Sequence, residues 1–101
     1  MMLSYLFTPV TDLELAAAFY RDSLGWEEVW REGDTTIAFA APTGEVQVML
    51  DTTPWPAGPM YLVPDLEDWL AAHAELAASI PRTEIPGGAV IGFTDPTGNA
   101  F

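Results

Sequence analysis

Apolar residues at the start of the chain form a continuous run and then a stripe with helical spacing. The run over residues 2–7 is typical of a buried strand. Thr11 with Glu14 three residues later is a capping box, which predicts that a helix begins here. Gly25 predicts the end of this helix, because glycine readily adopts the left-handed conformation that closes helices. Its apolar face is predicted to contain Leu13, Ala16, Ala17, Tyr20 and Leu24.

Three short strands separated by turns are predicted after this helix. Gly33-Asp34 and Pro42-Thr43-Gly44 are turn sequences, and they divide the segment into strands at residues 26–31, 35–41 and 45–51. The middle strand is rich in β-branched and aromatic residues, which strands favour. The first half of the chain therefore consists of a strand, a helix and three strands.

The second half repeats this order after a linker at residues 52–58, where prolines and a glycine interrupt regular structure. A strand at 60–63 precedes a helix that opens at Pro64-Asp65 and is predicted to continue to Pro81. Asp12 and Asp65 are expected to cap the two helices. Further strands are predicted at 82–85, at 89–94 and from Asn99. The apolar face of the second helix is predicted to contain Leu66, Trp69, Leu70, His73, Leu76 and Ile80.

The two halves also match residue by residue. Residues 10–14 match 63–67 at an offset of 53, and residues 37–39 and 42–44 match 91–93 and 96–98 at an offset of 54. The sequence thus predicts an α+β fold of two tandem βαβββ modules within one domain, residues 1–101. Module one is residues 1–51, and module two is residues 59–101. The repeat also predicts that the last strand is cut short at Phe101, so that either the chain is truncated or a partner completes the sheet edge.

Composition excludes several functions. The chain has no cysteine and no lysine, which rules out disulfides, thiolate chemistry, Schiff bases and a phosphate-loop lysine. The sequence contains three arginines and fifteen carboxylates, which gives a formal charge of -12. This charge disfavours binding to nucleic acid and to anionic membrane surfaces. No apolar run is long enough to span a membrane, and the N-terminus lacks the basic residues of a secretory signal. A cytoplasmic location is therefore expected.

Two motifs resemble those of the vicinal oxygen chelate superfamily, which includes glyoxalases, extradiol dioxygenases and bleomycin-resistance proteins. Residues 19–26, Phe-Tyr-Arg-Asp-Ser-Leu-Gly-Trp, are similar to its segment at the end of the first helix. Residues 95–99, Asp-Pro-Thr-Gly-Asn, are similar to its turn before the last strand. The resemblance covers nearly the whole chain. It implies curled modules that form a cup, a ligand in that cup, and frequent dimerisation.

The resemblance also implies where metal ligands would lie in metal-dependent members. The first-strand positions fall on Tyr5 and Gly58, which are not ordinary ligands of divalent metals. One last-strand position falls on Val48, beside Gln47, and the other lies beyond Phe101. Gln47 is thus the one weak candidate, and no metal, cofactor or catalytic residue is predicted. His73 is expected to be structural.

The resemblance to metal-free, acidic bleomycin-resistance proteins favours a small-molecule-binding homodimer whose ligand is apolar or a cationic aromatic. One alternative is a metal-dependent lyase, isomerase or dioxygenase whose remaining ligands come from missing C-terminal residues or a partner chain. Another is a non-catalytic interaction domain whose cup is filled by side chains. Residues expected to line the cup, from strand alternation and aromatic content, are Tyr5, Phe7, Trp30, Phe39, Gln47, Met49, Met60, Leu62 and Phe93.

Overall fold

A computed structural model describes residues 1–42 and 44–101 and confirms the predicted α+β fold. Thr43, at the centre of the predicted turn at 42–44, lies outside the described residues. Among the described residues, neither helix approaches the length and apolar character needed to cross a membrane. The elements in chain order are β1 (Met2–Pro9), α1 (Leu13–Ala18), β2 (Glu27–Glu32), β3 (Thr36–Ala40), β4 (Gln47–Asp51), β5 (Gly58–Leu62), α2 (Leu66–Ala72), β6 (Ile80–Ile85) and β7 (Gly88–Gly92).

Module one folds around a sheet with α1 on one face. The strand order is β2-β3-β4-β1-β5, in which β1 and β4 are parallel and the other neighbours are antiparallel. Strand alternation places Ile37 and Phe39 of β3 on the same face as Val48 and Leu50 of β4. These side chains are buried against α1, and together with Leu13 and Ala17 they form the hydrophobic core.

Both helices begin at an aspartate. The carboxylate of Asp12 accepts a hydrogen bond from the backbone N–H of Leu15 at 3.0 Å, and that of Asp65 accepts one from Asp68 at 3.1 Å. Each satisfies an amide that the first helical turn leaves unpaired. The expected aspartate caps are therefore confirmed, whereas the cap at Thr11 implied by the capping box is wrong by one residue. After α1 the chain passes through a π-helical turn, Phe19–Ser23, before Gly25 at φ +71°.

The second helix is shorter than predicted. It ends at Ala72 with His73 as its C-terminal cap, and Ile80 begins β6 instead of extending the helical face. Helices this short are stabilised mainly by packing of an apolar face. None of the residues in α2 is buried, so the helix has little apolar packing that would stabilise a further turn beyond Ala72. The aromatic ring of His73 stacks on Trp69 with the ring centroids 4.0 Å apart, in agreement with a structural role.

Module two is more open than module one. Its strand β5 joins the large sheet beside β1, while β6 and β7 form a separate two-stranded sheet. Phe93, the repeat equivalent of Phe39, is buried, but Leu66, Leu70 and Ile91 are only partly buried, unlike their equivalents in module one. The radius of gyration is 14.3 Å, somewhat larger than the roughly 13 Å expected for a compact chain of this length.

The turn after β7 is organised by the carboxylate of Asp95. Its Oδ1 accepts hydrogen bonds from the backbone N–H groups of Thr97 and Asn99, both at 2.9 Å, and from the Thr97 hydroxyl at 3.0 Å. Its Oδ2 accepts one from the Asn99 side-chain amide at 2.9 Å. These bonds, of which the one from the Asn99 side chain has the largest effect, lower the pKa of Asp95 from its ordinary value of 3.8 to about 2. The turn places Ala100 in a β-bridge with Thr94.

This pKa predicts how the turn responds to acid. A carboxyl group with a lowered pKa in the folded state stabilises that state above its unfolded pKa of 3.8, and this contribution is lost as the pH falls towards about 2. We expect the carbon-detected NMR titration of the Asp95 carboxyl group to have its midpoint near the lower value. In Asn99→Ala, which removes the side-chain donor, the midpoint should rise towards 3.8. An unchanged midpoint in that variant would contradict this assignment.

Candidate functional site

The face of the large sheet opposite α1 carries most of the predicted ligand-binding residues, and we call it the cup face. Tyr5 is the register partner of Gln47 on β4 and of Met60 on β5. Met49 is the partner of Phe7 and of Ala38. Because register partners point to the same side of a sheet, these side chains share one face. Trp30 joins them from β2, as the partner of Ala38.

Trp30, Gln47 and Tyr5 form a connected cluster on the cup face. The indole N–H of Trp30 donates a hydrogen bond to the side-chain oxygen of Gln47 at 2.9 Å. The rings of Tyr5 and Trp30 meet edge to face, with centroids 6.1 Å apart and an interplanar angle of 89°. All three side chains are half-buried, while Ala38 beneath is fully buried. A ligand would therefore rest on aromatic and amide groups and not on the sheet itself.

A separate apolar cavity lies beside β5. Its volume is about 110 Å³, and Phe7 and Met60 reach it from the edge of the cup face. Trp55 of the linker packs on Phe7, with ring centroids 5.8 Å apart, and Leu66 and Trp69 of α2 contribute the opposite wall. Sequence reasoning missed these three residues as site candidates. For Trp55, the sequence offers one signal of such a role, a large aromatic residue between two prolines of the linker.

Two predicted cup residues, Phe39 and Phe93, pack towards the helices. Phe39 is fully buried in the core beneath α1, with Tyr20 at a centroid distance of 5.8 Å. Phe93 packs against Trp69 of α2 at 5.6 Å and reaches the cavity from that side. The expectation that Phe39 lines the cup is thus not met, because every residue of β3 except Thr36 is apolar and the sequence alone does not set which parity faces the helix. Leu62 lies at the end of β5 and is 60% exposed.

Carboxylates lie along one side of the cup face, on β2 and at the end of β4. Glu27 and Glu32 of β2 are the register partners of Ala40 and Thr36, which places both on this side of the sheet. Asp51 lies opposite Thr36 and accepts hydrogen bonds from the Thr36 hydroxyl and from the backbone N–H of Thr53, both at 2.7 Å. The site therefore combines an aromatic surface with negative charge.

The three arginines pair with other carboxylates. Arg31 pairs with Glu14 and Glu28 on the side of α1. Arg21 pairs with its neighbour Asp22, and Arg82 pairs with Glu67 and Glu84 in module two. These three arginines are the only lysine or arginine residues in the sequence. Among residues 1–42 and 44–101, neither Glu27 nor Glu32 on the cup face has an arginine partner.

Comparison with known proteins decides the family. The model of the Glyoxalase/Bleomycin resistance protein/Dioxygenase superfamily matches residues 3–101 of this chain. The chain belongs to this superfamily. The match spans both modules and includes the two sequence motifs at 19–26 and 95–99, so the resemblance noted from those motifs is confirmed.

Solved structures of low sequence identity are similar to this superfamily member. A lactoylglutathione lyase from Agrobacterium tumefaciens is 22% identical, with 99% of this chain and 88% of that chain covered and a TM-score of 0.40. An integron cassette protein from the mobile metagenome of Vibrio cholerae is 19% identical, with 99% and 91% covered and a TM-score of 0.42. No curated protein matches this chain as a relative.

The superfamily's metal positions that fall on described residues do not assemble a metal site. The oxygen of Gln47 is already engaged by Trp30, and its register partner is the phenol-bearing Tyr5. Gly58 offers no side chain, and the Ala100 carbonyl lies only 2.5 Å from where a Cβ at that position would be. Within the described residues, no three His, Cys, Asp or Glu side chains are grouped closely enough to hold a metal. A catalytic metal commonly needs about three protein ligands, so these residues do not fit one.

Proposed function

We propose that this superfamily member binds a small planar aromatic cation on its cup face, without a catalytic metal. The observation that supports the proposal is the Trp30–Gln47–Tyr5 cluster, beside which Glu27 and Glu32 of β2 lie without an arginine partner among the described residues. Tryptophan faces attract cations and planar rings, with contributions of about 0.5–2 kcal/mol. The negative charge of Glu27 and Glu32 adds selectivity for positive ligands over neutral ones of the same shape.

The ligand-binding surface in this proposal comprises Tyr5, Trp30, Gln47 and Met49, with Phe7 and Met60 at its edge. Gln47 has a positioning role, since its oxygen fixes the indole of Trp30 through the 2.9 Å hydrogen bond. Leu62 is too exposed and too near the strand end to contribute, and Phe39 stabilises the core.

The proposal also includes a cytoplasmic homodimer. The exposed apolar side chains of Met2 and Leu62, at 57% and 60% exposure, are register partners at one end of β1 and β5 and provide a surface for self-association. Light scattering should then give twice the chain mass of 11.0 kDa at micromolar concentration. A monomeric mass would remove the dimer from the proposal and leave the cup-face site unaffected.

Binding of N-methylquinolinium, a planar aromatic cation, tests the site. Calorimetric titration should show binding to the wild-type chain that weakens as salt is raised, because salt screens exposed carboxylates. Neutral quinoline should bind about tenfold more weakly. Trp30→Ala removes the aromatic platform and should weaken binding of the cation about tenfold or more.

A matched control separates the cup face from aromatic side chains in general. Phe19→Ala removes a half-exposed ring, 53% accessible, on the π-helical turn and away from the cup face. We expect it to leave the affinity for N-methylquinolinium unchanged. Equal losses in Trp30→Ala and Phe19→Ala, or equal affinities for the cation and neutral quinoline, would contradict the proposed site.

A further inference from the structure

The cup face carries a row of aromatic rings that extends beyond the cluster described above. Tyr5 and Phe7 are two residues apart on β1, and their register with β4 places both side chains on this face. Two residues of a strand span about 7 Å, so the two rings are neighbours along the face. Trp55 packs on Phe7 with the ring centroids 5.8 Å apart and an interplanar angle of 42°. The row therefore runs from Trp30 on β2 to Trp55 in the linker.

The backbone around Trp55 is held in place by hydrogen bonds and by two prolines. The carboxylate of Asp51, at the end of β4, accepts a hydrogen bond from the backbone N–H of Thr53 at 2.7 Å. The N–H of Trp55 donates to the carbonyl of Thr53 at 2.9 Å. Pro54 has a fixed φ, and Pro56 restricts the residue before it to extended backbone. The linker thus presents the indole from a constrained backbone, which reduces the ordering that a ligand would have to impose.

Trp55 is the accessible member of the pair at this end of the row. Phe7 is only 6% exposed, whereas Trp55 is half-buried. A ligand here would therefore meet the indole of Trp55, which Phe7 supports from the sheet. Aromatic rings favour offset stacking or edge-to-face contact with other rings, so this indole suits a second aromatic group.

The two ends of the row differ in charge. Glu27 and Glu32 both lie on β2, and two strands separate β2 from β1. At a spacing of about 4.8 Å between strands, β1 is about 14 Å from β2, which exceeds the screening length of about 8 Å at physiological salt. At the linker end, both carboxylate oxygens of Asp51 already accept hydrogen bonds. A positive charge is therefore favoured at the Trp30 end, and a neutral ring suits the Trp55 end.

We propose that Trp55 forms a second, uncharged subsite at the edge of the cup face. The ligand is then an elongated molecule, with a cationic aromatic ring at the Trp30 end and a neutral aromatic ring at the Trp55 end. This inference rests on the proposed function, since the cationic ring occupies the cluster around Trp30. It adds the length of the ligand and a binding role for the linker.

N-(2-phenylethyl)quinolinium tests the proposal. It carries a neutral phenyl ring on a two-carbon chain, which can bridge the spacing of about 7 Å between neighbouring side chains of the row. In calorimetric titrations it should bind the wild-type chain about tenfold more tightly than N-methylquinolinium does. In Trp55→Ala this advantage should disappear, while the affinity for N-methylquinolinium stays unchanged. Trp55→Phe keeps an aromatic ring and should retain most of the advantage.

Phe19→Ala is the matched control, and we expect it to keep the full tenfold difference between the two ligands. A wild-type chain that binds N-methylquinolinium but gains nothing from the phenyl ring would overturn the second subsite alone. An advantage that persists in Trp55→Ala would do the same. Equal losses for both ligands in Trp55→Ala would assign the indole a structural role and would also overturn it. If neither ligand binds the wild-type chain, the proposed function itself fails, and this inference fails with it.

Discussion

Replacing Phe39 with alanine is expected to lower the free energy of unfolding by about 3–5 kcal/mol. The ring is fully buried between α1 and the sheet, where it contacts Tyr20 and lies beside Leu50 and Ile37 of the core. Its removal leaves a cavity bounded by paired strands on one side and a capped helix on the other, so the surroundings cannot collapse. For a domain of this length, each kcal/mol corresponds to a melting-temperature decrease of about 4–8 °C.

Phe93→Ala is the matched control for this prediction. Phe93 occupies the equivalent position of module two and is also buried, at 5% exposure. Its neighbours Trp69 and Ile91 are only partly buried, however, and an apolar cavity already lies beside it. We expect a loss of about half that of Phe39→Ala, because the site can relax and admit water. Denaturant unfolding of both variants measures the two losses, and an equal or larger loss for Phe93→Ala would contradict the asymmetry between the modules.

Gly58→Ala is expected to destabilise the protein by about 1–3 kcal/mol, the cost of overpacking a site that cannot yield. A Cβ at this position would lie 2.5 Å from the carbonyl oxygen of Ala100, and backbone cannot rotate away as a flexible side chain could. The Ala100–Phe101 segment would have to move, which would weaken its two hydrogen bonds between Phe101 and Phe93.

Gly88→Ala controls for the general effect of replacing a strand glycine. No atom lies within 4 Å of a Cβ built there, and the residue is not in the left-handed region. Alanine at such a position should be neutral or stabilising by up to about 1 kcal/mol, because it restricts the unfolded chain. Thermal unfolding of the pair should therefore give changes of opposite sign or clearly different size. Equal changes would contradict the close approach of Ala100 to β5.

Much of the fold could be predicted because its signals are local or repeated. Helical spacing from Leu13 onward, the aspartates before each helix and the constant offset between the halves all depend on short sequence segments. The length of α2 could not be predicted in this way. The sequence beyond His73 suits a helix, but helix ends are decided by packing, and no residue of α2 is buried.

The candidate site was less predictable than the fold. The face to which Phe39 points depends on its register with Val48 and on the position of α1, and neither is visible in a strand whose successive residues are apolar. The bond between Trp30 and Gln47 joins residues 17 positions apart on strands that are not neighbours. It depends on side-chain reach across β3, which alternation alone does not describe.

The most direct test of the account is a pair of calorimetric titrations of the unmodified chain, one with N-methylquinolinium and one with divalent metal ions such as Zn²⁺ and Mn²⁺. We expect saturable, salt-sensitive binding of the organic cation. We expect no metal binding that depends on Gln47, so the metal titrations of the unmodified chain and of Gln47→Ala should not differ. A metal that binds with one-to-one stoichiometry, with a Kd below about 10 µM that Gln47→Ala abolishes, would contradict the metal-free cup and indicate a metal-dependent enzyme.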